Sequence, residues 1–391
     1  MAQGRDSSLK IALIQDQLLT KAGSERVFLY MAQEFQEADL FTLCYNPDTT
    51  WPEFRNFRIA TSPLNRIIQD HGRFKTLFPV ATCWMEHWDF SAYDLIITSS
   101  ATTAKYIKKF KGPHICYCYY PTRAIWSFDS YFGRRRNLRE RVFECLLPWF
   151  KNRDRAAAAR VSQFIAISQS AAKAIRTCYQ RDAAVLHCPI DVKRFKAGAQ
   201  IAKQDYFLLV SRLEKWKQVD YAIDAFNRLG LPLRIVGAGP EEKQLRSMAG
   251  PTVSFLGAVD DEVLIRAYGE ARAVIFPPEL EYGLVPLEAN AAGTPVIALG
   301  RGGVLETMVG MADVQKRRPT AILYADPTAE CLMEAVRVFE RARFAREELL
   351  SHVASFDIAE FRRRLRRMVT EFLETGSIQP ALVPRKGLEC A

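Results

Sequence analysis

The chain has 391 residues, of which 49% are hydrophobic and 25% are charged. At about 150 residues a domain this length predicts two to three domains, and the near-average composition excludes disordered, collagen-like and coiled-coil proteins. The 54 basic residues exceed the 44 acidic ones and leave a net charge of +10. This charge favours an anionic partner such as a nucleic acid, a lipid surface or a phosphate-bearing ligand.

Short apolar runs alternate with helical patterns along the whole chain, which predicts an α/β fold with parallel sheets. In the first half the predicted strands are 10–15, 38–43, 58–61, 94–98, 114–118 and 164–167, with helices at 24–33 and 168–179. In the second half the predicted strands are 206–210, 233–236, 253–256, 273–276, 295–299 and 321–324, with helices at 219–228, 240–248, 260–271 and 287–292. A basic amphipathic helix is predicted at 358–374.

These elements predict two facing Rossmann-like domains with an interdomain cleft, because doubly wound sheets bind ligands outside the carboxyl ends of their strands. The predicted segments are 1–190 for the first domain, 191–205 for a linker, 206–356 for the second domain, 357–375 for a helix that packs back on the first domain, and 376–391 for a tail.

The nine cysteines are scattered and odd in number, unlike those of a disulfide-stapled secreted domain or a zinc knuckle. We expect the closest pair, Cys116 and Cys118, to point to opposite faces of a strand and therefore not to share a metal ion. The first residues do not resemble a signal peptide, and no uncharged apolar run reaches the roughly 18 residues of a membrane span. We therefore expect a cytoplasmic protein without a transmembrane segment.

Two loops that follow predicted strands carry candidate ligand-binding groups. The first contains Arg212 and Lys217, a guanidinium and an ammonium that can neutralise charge developing on a leaving diphosphate. The turn at 235–241 contains Gly237 and Gly239, which let the backbone approach a nucleotide. The alternatives are a solvated basic loop for the first and a tight connection for the second.

The segment 276–297 runs from a predicted strand through an acidic loop into a helix. The N–H groups at the start of that helix favour an anion. The carboxylates of the loop and the first turns, which are those of Glu279, Glu281 and Glu288, can accept hydrogen bonds from sugar or ribose hydroxyls. Capping of the helix by acidic residues is the alternative.

In this order and spacing the three elements resemble the donor-binding half of the retaining GT-B glycosyltransferases of family 4, and residues 10–374 are similar to the family's layout. The segments 23–27, 117–126 and 164–168 also resemble bacterial GDP-mannose-dependent mannosyltransferases of surface polysaccharide assembly. The resemblance implies transfer of mannose from GDP-mannose, with retention of configuration, onto a lipid-linked or oligosaccharide acceptor. It implies no metal and no cofactor besides the nucleotide sugar.

The resemblance also implies roles for individual residues, with the acceptor in the first domain and the donor in the second. The implied catalytic residues are Arg212, Lys217, Glu279 and Glu281. The implied donor-binding residues are Gly23, Arg212, Lys217, Gly237, Gly239, Gly283, Leu284, Val285 and Glu288, of which Glu288 holds the ribose. The residues implied for an acceptor or donor-sugar loop are Asp16, Tyr119 and Arg123.

Two positions depart from the family pattern. The family's paired glutamates stand eight residues apart, which from Glu288 counts back to Leu280, between Glu279 and Glu281. A histidine that the related proteins often carry is replaced by Tyr119. Three outcomes remain open: a neighbouring glutamate substitutes, the donor sugar is bound differently, or the protein is a non-catalytic nucleotide-sugar-binding or scaffolding relative.

Much of the positive charge lies between Lys105 and Arg160, where fourteen basic residues stand against four acidic ones. The apolar residues that recur there at near-helical spacing are Leu138, Val142, Leu146, Trp149 and Phe150. This pattern predicts reversible contact with an anionic membrane surface on the inner face of the cell membrane, and a core-packed helix is the alternative. We expect no nucleic-acid partner, since no recognition motif is present, and no dehydrogenase, since 15–23 carries no glycine fingerprint.

Overall fold

The computed structural model describes residues 9–132, 138–311 and 318–378. They divide into two compact units, one of the described residues up to His187 together with those from Arg362 onward, and the other of the described residues of Cys188–Phe361. Each unit is a parallel sheet covered by helices, which confirms the predicted α/β class with two Rossmann-like domains.

The first unit contains a seven-stranded sheet in which every neighbouring pair is parallel. Its strands are β1 (Ile11–Gln15), β2 (Asp39–Thr42), β3 (Ile59–Thr61), β4 (Leu95–Ser100), β5 (His114–Cys118), β6 (Gln163–Ala166) and β7 (Ala183–Val185). Their order is β3-β2-β1-β4-β5-β6-β7, so the strand order reverses between β1 and β4. Every residue of β1, β4 and β5 is buried, as expected for strands covered on both faces.

The helices of the first unit surround this sheet. They are α1 (Gly23–Glu34), α2 (His71–Thr76), α3 (Phe78–His87), α4 (Arg123–Trp126), α5 (Phe128–Phe132), α6 (Leu138–Cys145), α7 (Leu147–Ala159) and α8 (Gln169–Tyr179). Most of the C-terminal helix (Ile358–Thr375) also belongs to this unit. There Arg362 and Arg366 donate hydrogen bonds of 2.9 and 2.5 Å to the carboxylate of Glu34, at the end of α1.

The second unit contains a six-stranded parallel sheet. Its strands are β8 (Phe207–Val210), β9 (Leu233–Val236), β10 (Val253–Gly257), β11 (Val274–Phe276), β12 (Val296–Leu299) and β13 (Ala321–Tyr324), in the order β10-β9-β8-β11-β12-β13. Its helices are α9 (Val192–Lys196), α10 (Val219–Leu229), α11 (Glu242–Met248), α12 (Asp261–Glu270), α13 (Leu284–Ala291), α14 (Val304–Thr307), α15 (Ala329–Arg341) and α16 (Arg346–Val353). Successive residues of β8 pack into separate core clusters, Phe207 on one face and Leu208 on the other.

Two segments differ from the sequence prediction. Residues 191–205, predicted as a linker, contain α9 and a short 3-10 helix at Ala197–Gln200, and they belong to the second unit. Gly198 fits closely on α12, because a Cβ atom there would lie 3.0 Å from the carbonyl oxygen of Ile265. The strand β7 has three residues, too few to show a period in the sequence.

Cys116 and Cys118 are both buried in β5, and interaction with Cys116 together with burial raises the pKa of the Cys118 thiol. Our expectation of opposite faces was wrong, because residues two apart on a strand line the same face. Within the described ranges no group of three or more His, Cys, Asp or Glu side chains could hold a metal ion. Of the helices that the structure describes, none combines the length and the apolar character needed to cross a membrane.

Candidate functional site

The loop after β8 holds Arg212 through a carboxylate that the sequence analysis did not single out. Nη2 of Arg212 lies 2.7 Å from Oε1 of Glu214, and the Arg212 side chain is 65% exposed. The Glu214 carboxylate also accepts a hydrogen bond from the indole N–H of Trp216. An exposed ion pair of this kind contributes about 0–1 kcal/mol. It can therefore orient the guanidinium while other N–H groups of Arg212 bind an anion.

Lys217 closes a single 3-10 turn, Lys215–Lys217, just before α10. Its ammonium lies 4.1 Å from the ring centroid of Trp216, a cation–π contact that keeps the side chain on the same loop as Arg212. The next residue, Gln218, has a left-handed φ of 55° and leads directly into α10. The loop therefore presents both cations beyond the carboxyl end of β8, where doubly wound sheets bind ligands.

Gly237 and Gly239 pack against the loop that carries Arg212. Gly237 has a φ of +127°, and a Cβ atom there would lie 1.9 Å from the carbonyl oxygen of Ser211. A Cβ atom at Gly239 would lie 2.3 Å from the carbonyl oxygen of Leu213. Only glycine fits at either position. Loop-to-loop packing accounts for both glycines without a nucleotide, as the tight-connection alternative predicts, and it fixes the backbone on both sides of Arg212.

In the acidic loop, Leu280 packs against the core. The Leu280 side chain packs against the cluster that contains Leu287, and its carbonyl oxygen accepts a hydrogen bond of 2.7 Å from the N–H of Gly303. Glu279 is exposed and Glu281 is half-buried. Leu280 is therefore a half-buried residue that packs on the core, and the carboxylates of the loop between β11 and α13 are those of its two neighbours.

Helix α13 begins directly after this loop. Gly283 precedes the helix, and a Cβ atom there would lie 2.7 Å from the ring of Phe276 at the end of β11. Leu284 and Val285 are half-buried and form the first turn. The N–H groups of a first turn have no partner within the helix and favour an anion.

Glu288 lies one turn further along α13 and is held by a tyrosine of α12. Its Oε2 accepts a hydrogen bond of 2.7 Å from the hydroxyl of Tyr268. Burial raises the pKa of Glu288, and the Tyr268 hydrogen bond opposes that shift. No residue in the described part of the chain hydrogen-bonds to Oε1, so this oxygen can accept a bond from a hydroxyl ligand.

In the first unit, Asp16 follows β1 and holds the loop after β4. Its Oδ2 accepts hydrogen bonds of 2.7 and 2.8 Å from the backbone N–H groups of Ala101 and Thr102. Its Oδ1 accepts hydrogen bonds of 2.7 and 2.6 Å from the backbone N–H groups of Thr103 and Ala104. The Asp16 side chain is buried. The structure thus engages its carboxylate in loop folding, and the substrate contact predicted for Asp16 stays a prediction.

Tyr119 connects the start of α1 to the sheet. Its hydroxyl lies 3.0 Å from the carbonyl oxygen of Ser24 and 3.0 Å from the hydroxyl of Ser99. Gly23 is exposed and is the first residue of α1. Beside it, the carboxylate of Glu25 accepts a hydrogen bond from the Ser24 hydroxyl, and burial raises its pKa. Tyr119 and Gly23 therefore lie at one corner of the first unit.

Arg123 begins α4, a helix of four residues that follows β5. Its side chain is half-buried, and its guanidinium carbon lies 5.1 Å from the ring centroid of Tyr120. Burial lowers the pKa of Arg123, but an arginine remains charged in proteins. The loop after β5 therefore brings a cation to the same edge of the sheet as Tyr119.

The charge between Lys105 and Arg160 does not form one solvated surface. Lys105 is 1% exposed, and its ammonium lies 2.9 Å from the carboxylate of Asp154. Arg160 donates to a backbone carbonyl at 2.9 Å, and Arg153 pairs with a glutamate of α3 at 3.0 Å. The arginines at 134–136 lie outside the described residues. A sequence count overstates the basic surface here because it cannot separate buried charges from exposed ones.

Helices α6 and α7 nevertheless expose most of the apolar residues of this segment. The exposed fractions are 78% for Leu138, 53% for Val142, 47% for Leu146 and 50% for Trp149. Phe150 is buried and stacks on Phe143. The predicted single helix is two helices, and Pro148 lies in the first turn of the second. We name Leu138, Val142, Leu146 and Trp149 the apolar face of α6–α7.

Two residues near the carboxyl edge of the second sheet escaped the sequence analysis. Glu214 stands two residues from Arg212, and its charge opposite a guanidinium is a signal that could have been used. Tyr268 lies on a different helix from Glu288, and nothing in the local sequence predicts their contact.

Two family models match the chain. The model described as "Glycosyltransferase Family 4" matches residues 22–194. The model described as "Glycosyl transferases group 1" matches residues 191–350.

Curated relatives are similar over part of the chain. Glycogen synthase of Mycobacterium tuberculosis is 33% identical over 156 residues, which are 37% of this chain and 38% of that protein. O-antigen chain mannosyltransferase C of Escherichia coli is 26% identical over 153 residues, 37% of this chain and 40% of that protein. Alpha-1,3/1,6-mannosyltransferase ALG2 of Homo sapiens is 26% identical over 227 residues, 49% and 52% of the two chains. The chain thus spans about half the length of these relatives or less.

Solved structures share the fold over nearly the whole chain. Anabaena Alr3699/HepE, in complex with UDP and glucose, has a TM-score of 0.66 at 17% identity and covers 93% of this chain and 100% of its own. The lipopolysaccharide outer core galactosyltransferase WaaB has a TM-score of 0.64 at 15% identity and covers 93% of this chain and 99% of its own. The chain therefore has the fold of the GT-B glycosyltransferases, and its first half matches the family 4 model while its second half matches the group 1 model.

Proposed function

We propose that the protein is a retaining glycosyltransferase that moves mannose from GDP-mannose onto a lipid-linked or oligosaccharide acceptor in polysaccharide biosynthesis. The observation that carries the proposal is the exposed Arg212 guanidinium beyond β8, oriented by Glu214 on the loop that also carries Lys217. The mannosyltransferases among the relatives support the choice of sugar. The Anabaena structure contains UDP, so the donor base is the first property to test.

In the proposed reaction, the bond between the anomeric carbon of the sugar and the donor diphosphate breaks. A bond from the acceptor hydroxyl forms on the same face, and the hydroxyl proton leaves with the nucleoside diphosphate. Arg212, Lys217 and the N–H groups at the start of α13 stabilise the charge on the diphosphate. Because these groups supply the positive charge, the proposal requires no divalent ion. Glu288 accepts a ribose hydroxyl at Oε1 while Tyr268 holds Oε2.

We assign the remaining residues to parts of the two substrates according to their positions at the carboxyl edges of the two sheets. We assign the donor sugar to Glu281 rather than to Glu279, because a half-buried carboxylate makes a stronger hydrogen bond than an exposed one. The turn at Gly237 and Gly239 is assigned to the base. Gly23 is assigned to the diphosphate, and the loop with Tyr119 and Arg123 to the acceptor or the donor sugar.

A thermal-shift panel with GDP, UDP, ADP and their sugar conjugates, each with and without EDTA, tests donor binding. A ligand at about 100 times its dissociation constant stabilises a protein by about 2.7 kcal/mol, which raises the melting temperature of a domain of this size by about 5 °C or more. We expect this rise with GDP and GDP-mannose, unchanged by EDTA. Transfer from GDP-mannose to a lipid-linked acceptor is then measured with the same protein.

The panel also separates the alternatives. Stabilisation by UDP conjugates alone would overturn the GDP-mannose assignment. Binding without transfer would favour the non-catalytic relative that Leu280 and Tyr119 suggest, and no stabilisation by any nucleotide would favour a scaffold. In the transfer assay, Glu281→Gln is expected to lower turnover about tenfold or more, as loss of a hydrogen bond to a charged group does. Equal, mild effects of Glu281→Gln and Glu279→Gln would remove the donor-sugar assignment.

We further propose that the apolar face of α6–α7 makes reversible contact with the anionic inner face of the cell membrane. Exposed Arg141 and Arg155 lie on the same two helices. Exposed apolar residues beside basic ones bind anionic lipid by burying apolar area and by electrostatic attraction. Such contact would bring the protein to a lipid-linked acceptor.

Co-sedimentation with vesicles tests this contact. We expect the protein to bind phosphatidylglycerol-containing vesicles and not pure phosphatidylcholine vesicles. Removing two apolar side chains in the double variant Leu138→Asn/Val142→Asn is expected to weaken binding about tenfold or more, since burial of such a side chain contributes about 1.5–3 kcal/mol. Leu305→Asn, at a leucine of the second unit with 44% exposure, is the control. Wild-type binding by the double variant would contradict the proposal.

A further inference from the structure

A buried aspartate of α7 is the meeting point of five hydrogen-bond donors. Asp154 is 0% exposed. Around Oδ1 are the Lys105 ammonium at 2.9 Å, the Tyr106 hydroxyl at 2.7 Å and the Thr122 hydroxyl at 3.4 Å. Around Oδ2 are the Trp126 indole N–H and the Tyr179 hydroxyl, both at 2.6 Å. We name these six residues the Asp154 cluster.

The cluster holds α4 at both of its ends. Thr122 immediately precedes this helix, and Trp126 is its last residue. Thr122 also accepts a hydrogen bond of 2.8 Å from the ammonium of Lys105. A helix of one turn is not stable by itself, so the contacts of its two ends decide where it lies. Arg123 stands between those two ends.

The other donors come from elements that do not belong to this loop. Lys105 and Tyr106 lie in the 3-10 turn Ala104–Tyr106 that follows β4, and Tyr179 is the last residue of α8. The start of the same 3-10 turn is held by Asp16 through the N–H of Ala104. Asp16, after β1, therefore holds the loop after β4. Asp154 in turn connects the loop after β4 to the loop after β5.

Stability alone does not account for the cluster. Burial lowers the pKa of Lys105, but the charges of Asp154, Cys118 and Asp16 and the hydrogen bond to Asp154 together leave the pKa raised. Replacing a buried ion pair by apolar residues of similar volume is often neutral or stabilising. A fully bonded polar network instead holds its members in one geometry, because each bond is directional. The directional bonds that reach the loop after β5 are those of Thr122 and Trp126.

We propose that Asp154 is a positioning residue. By holding Thr122 and Trp126 it fixes α4, and through α4 it fixes Arg123 at the carboxyl end of β5. The inference rests on the proposed function, in which the loop with Arg123 contacts the acceptor or the donor sugar.

Two aromatic donors to the same carboxylate oxygen provide a matched pair of variants. Trp126→Phe removes the donor on α4, and Tyr179→Phe removes the donor on α8. Each variant loses one hydrogen bond of 2.6 Å. Trp126→Phe also loses the indole ring over which the Arg155 guanidinium lies, so we expect both variants to lower the melting temperature and Trp126→Phe to lower it more. In Trp126→Phe, amide hydrogen exchange in 119–126 is expected to accelerate about tenfold, because a hydrogen bond to a charged group is lost. In Tyr179→Phe it is expected to stay within about twofold of wild type. The kcat/KM of transfer is expected to fall about tenfold in the first variant only.

A second pair of variants removes hydrogen bonds to Oδ1 of Asp154. This pair provides the same comparison if Trp126→Phe does not fold. Thr122→Val removes a hydroxyl on the loop side, and Tyr106→Phe removes one on the other side. The conservative variant Thr122→Ser restores the hydroxyl. It is expected to return hydrogen exchange and kcat/KM to within about twofold of wild type.

The proposal would be overturned if hydrogen exchange in 119–126 were equally fast in the variants of the loop after β5 (Trp126→Phe, Thr122→Val) and in those of the other elements (Tyr179→Phe, Tyr106→Phe). The cluster would then only stabilise the fold. Faster exchange in the loop-side variants without a loss of kcat/KM would overturn it as well. If the wild-type protein transfers no sugar from any donor, the proposed function fails. The exchange comparison needs no substrate, so it still decides whether Asp154 fixes α4.

Discussion

Replacing Arg212 or Lys217 by alanine is expected to lower the kcat of sugar transfer by about 10²–10³. Each cation neutralises charge that grows on the diphosphate as the sugar bond breaks, and removing one preorganised contact of this kind raises the barrier by several kcal/mol. The Arg212–Glu214 pair is a surface pair, so Arg212→Ala should shift the melting temperature by less than about 4 °C. Steady-state transfer and thermal unfolding, measured on the same preparations, check both expectations.

Lys215→Ala is the matched control for these variants. Lys215 is an exposed lysine in the same 3-10 turn as Lys217, and its removal is expected to leave kcat within about twofold of wild type. Near-wild-type turnover of Arg212→Ala would exclude this arginine from catalysis. Loss of turnover together with a large drop in melting temperature would instead indicate a structural role.

The variant Asp16→Ala is expected to lower the free energy of unfolding of the first unit by about 3–5 kcal/mol. Four backbone N–H groups lose their acceptor in this variant, and each unsatisfied buried donor costs about 1–3 kcal/mol, less where water can reach it. Urea unfolding followed by tryptophan fluorescence measures the loss. Five of the six tryptophans report on the first unit: Trp51, Trp84, Trp88, Trp126 and Trp149.

Asp48→Ala is the control for this loss of stability. The Asp48 side chain is 80% exposed and pairs with a 57% exposed Arg55 at 2.7 Å, so its removal should change the free energy of unfolding by less than about 1 kcal/mol. If Asp16→Ala unfolds like the wild type but loses transfer activity, Asp16 contacts a substrate after all, as the sequence analysis predicts.

Most of the fold could be predicted because strands buried on both faces leave continuous apolar runs in the sequence. Each strand except β7 lies at a predicted run. The segment 191–205 could not be predicted, because α9 has five residues and the 3-10 helix after it has four. Such short helices show no period, and their position depends on close packing at Gly198.

The candidate site could be predicted where its chemistry is local in sequence. Arg212 and Lys217 follow a strand and precede a helix, and this order places them at the edge of the sheet. Contacts between distant segments could not be read in the same way. Tyr268 reaches Glu288 from another helix, and Lys105 was counted as surface charge because its partner, Asp154, comes much later in the chain.

The C-terminal helix has a consequence for the synthesis of the protein. The first unit is built from two separate stretches of sequence, with the second unit between them. The hydrogen bond between Arg362 and Glu34, for example, joins residues 328 positions apart. At about 5–20 residues per second, the ribosome needs roughly 15–70 s to reach Arg362 after it has made Glu34. During that interval Phe35, over which the Arg366 guanidinium later lies at 4.7 Å, has no C-terminal helix beside it. The domain that is begun first is thus completed last, only after the entire second unit has been made.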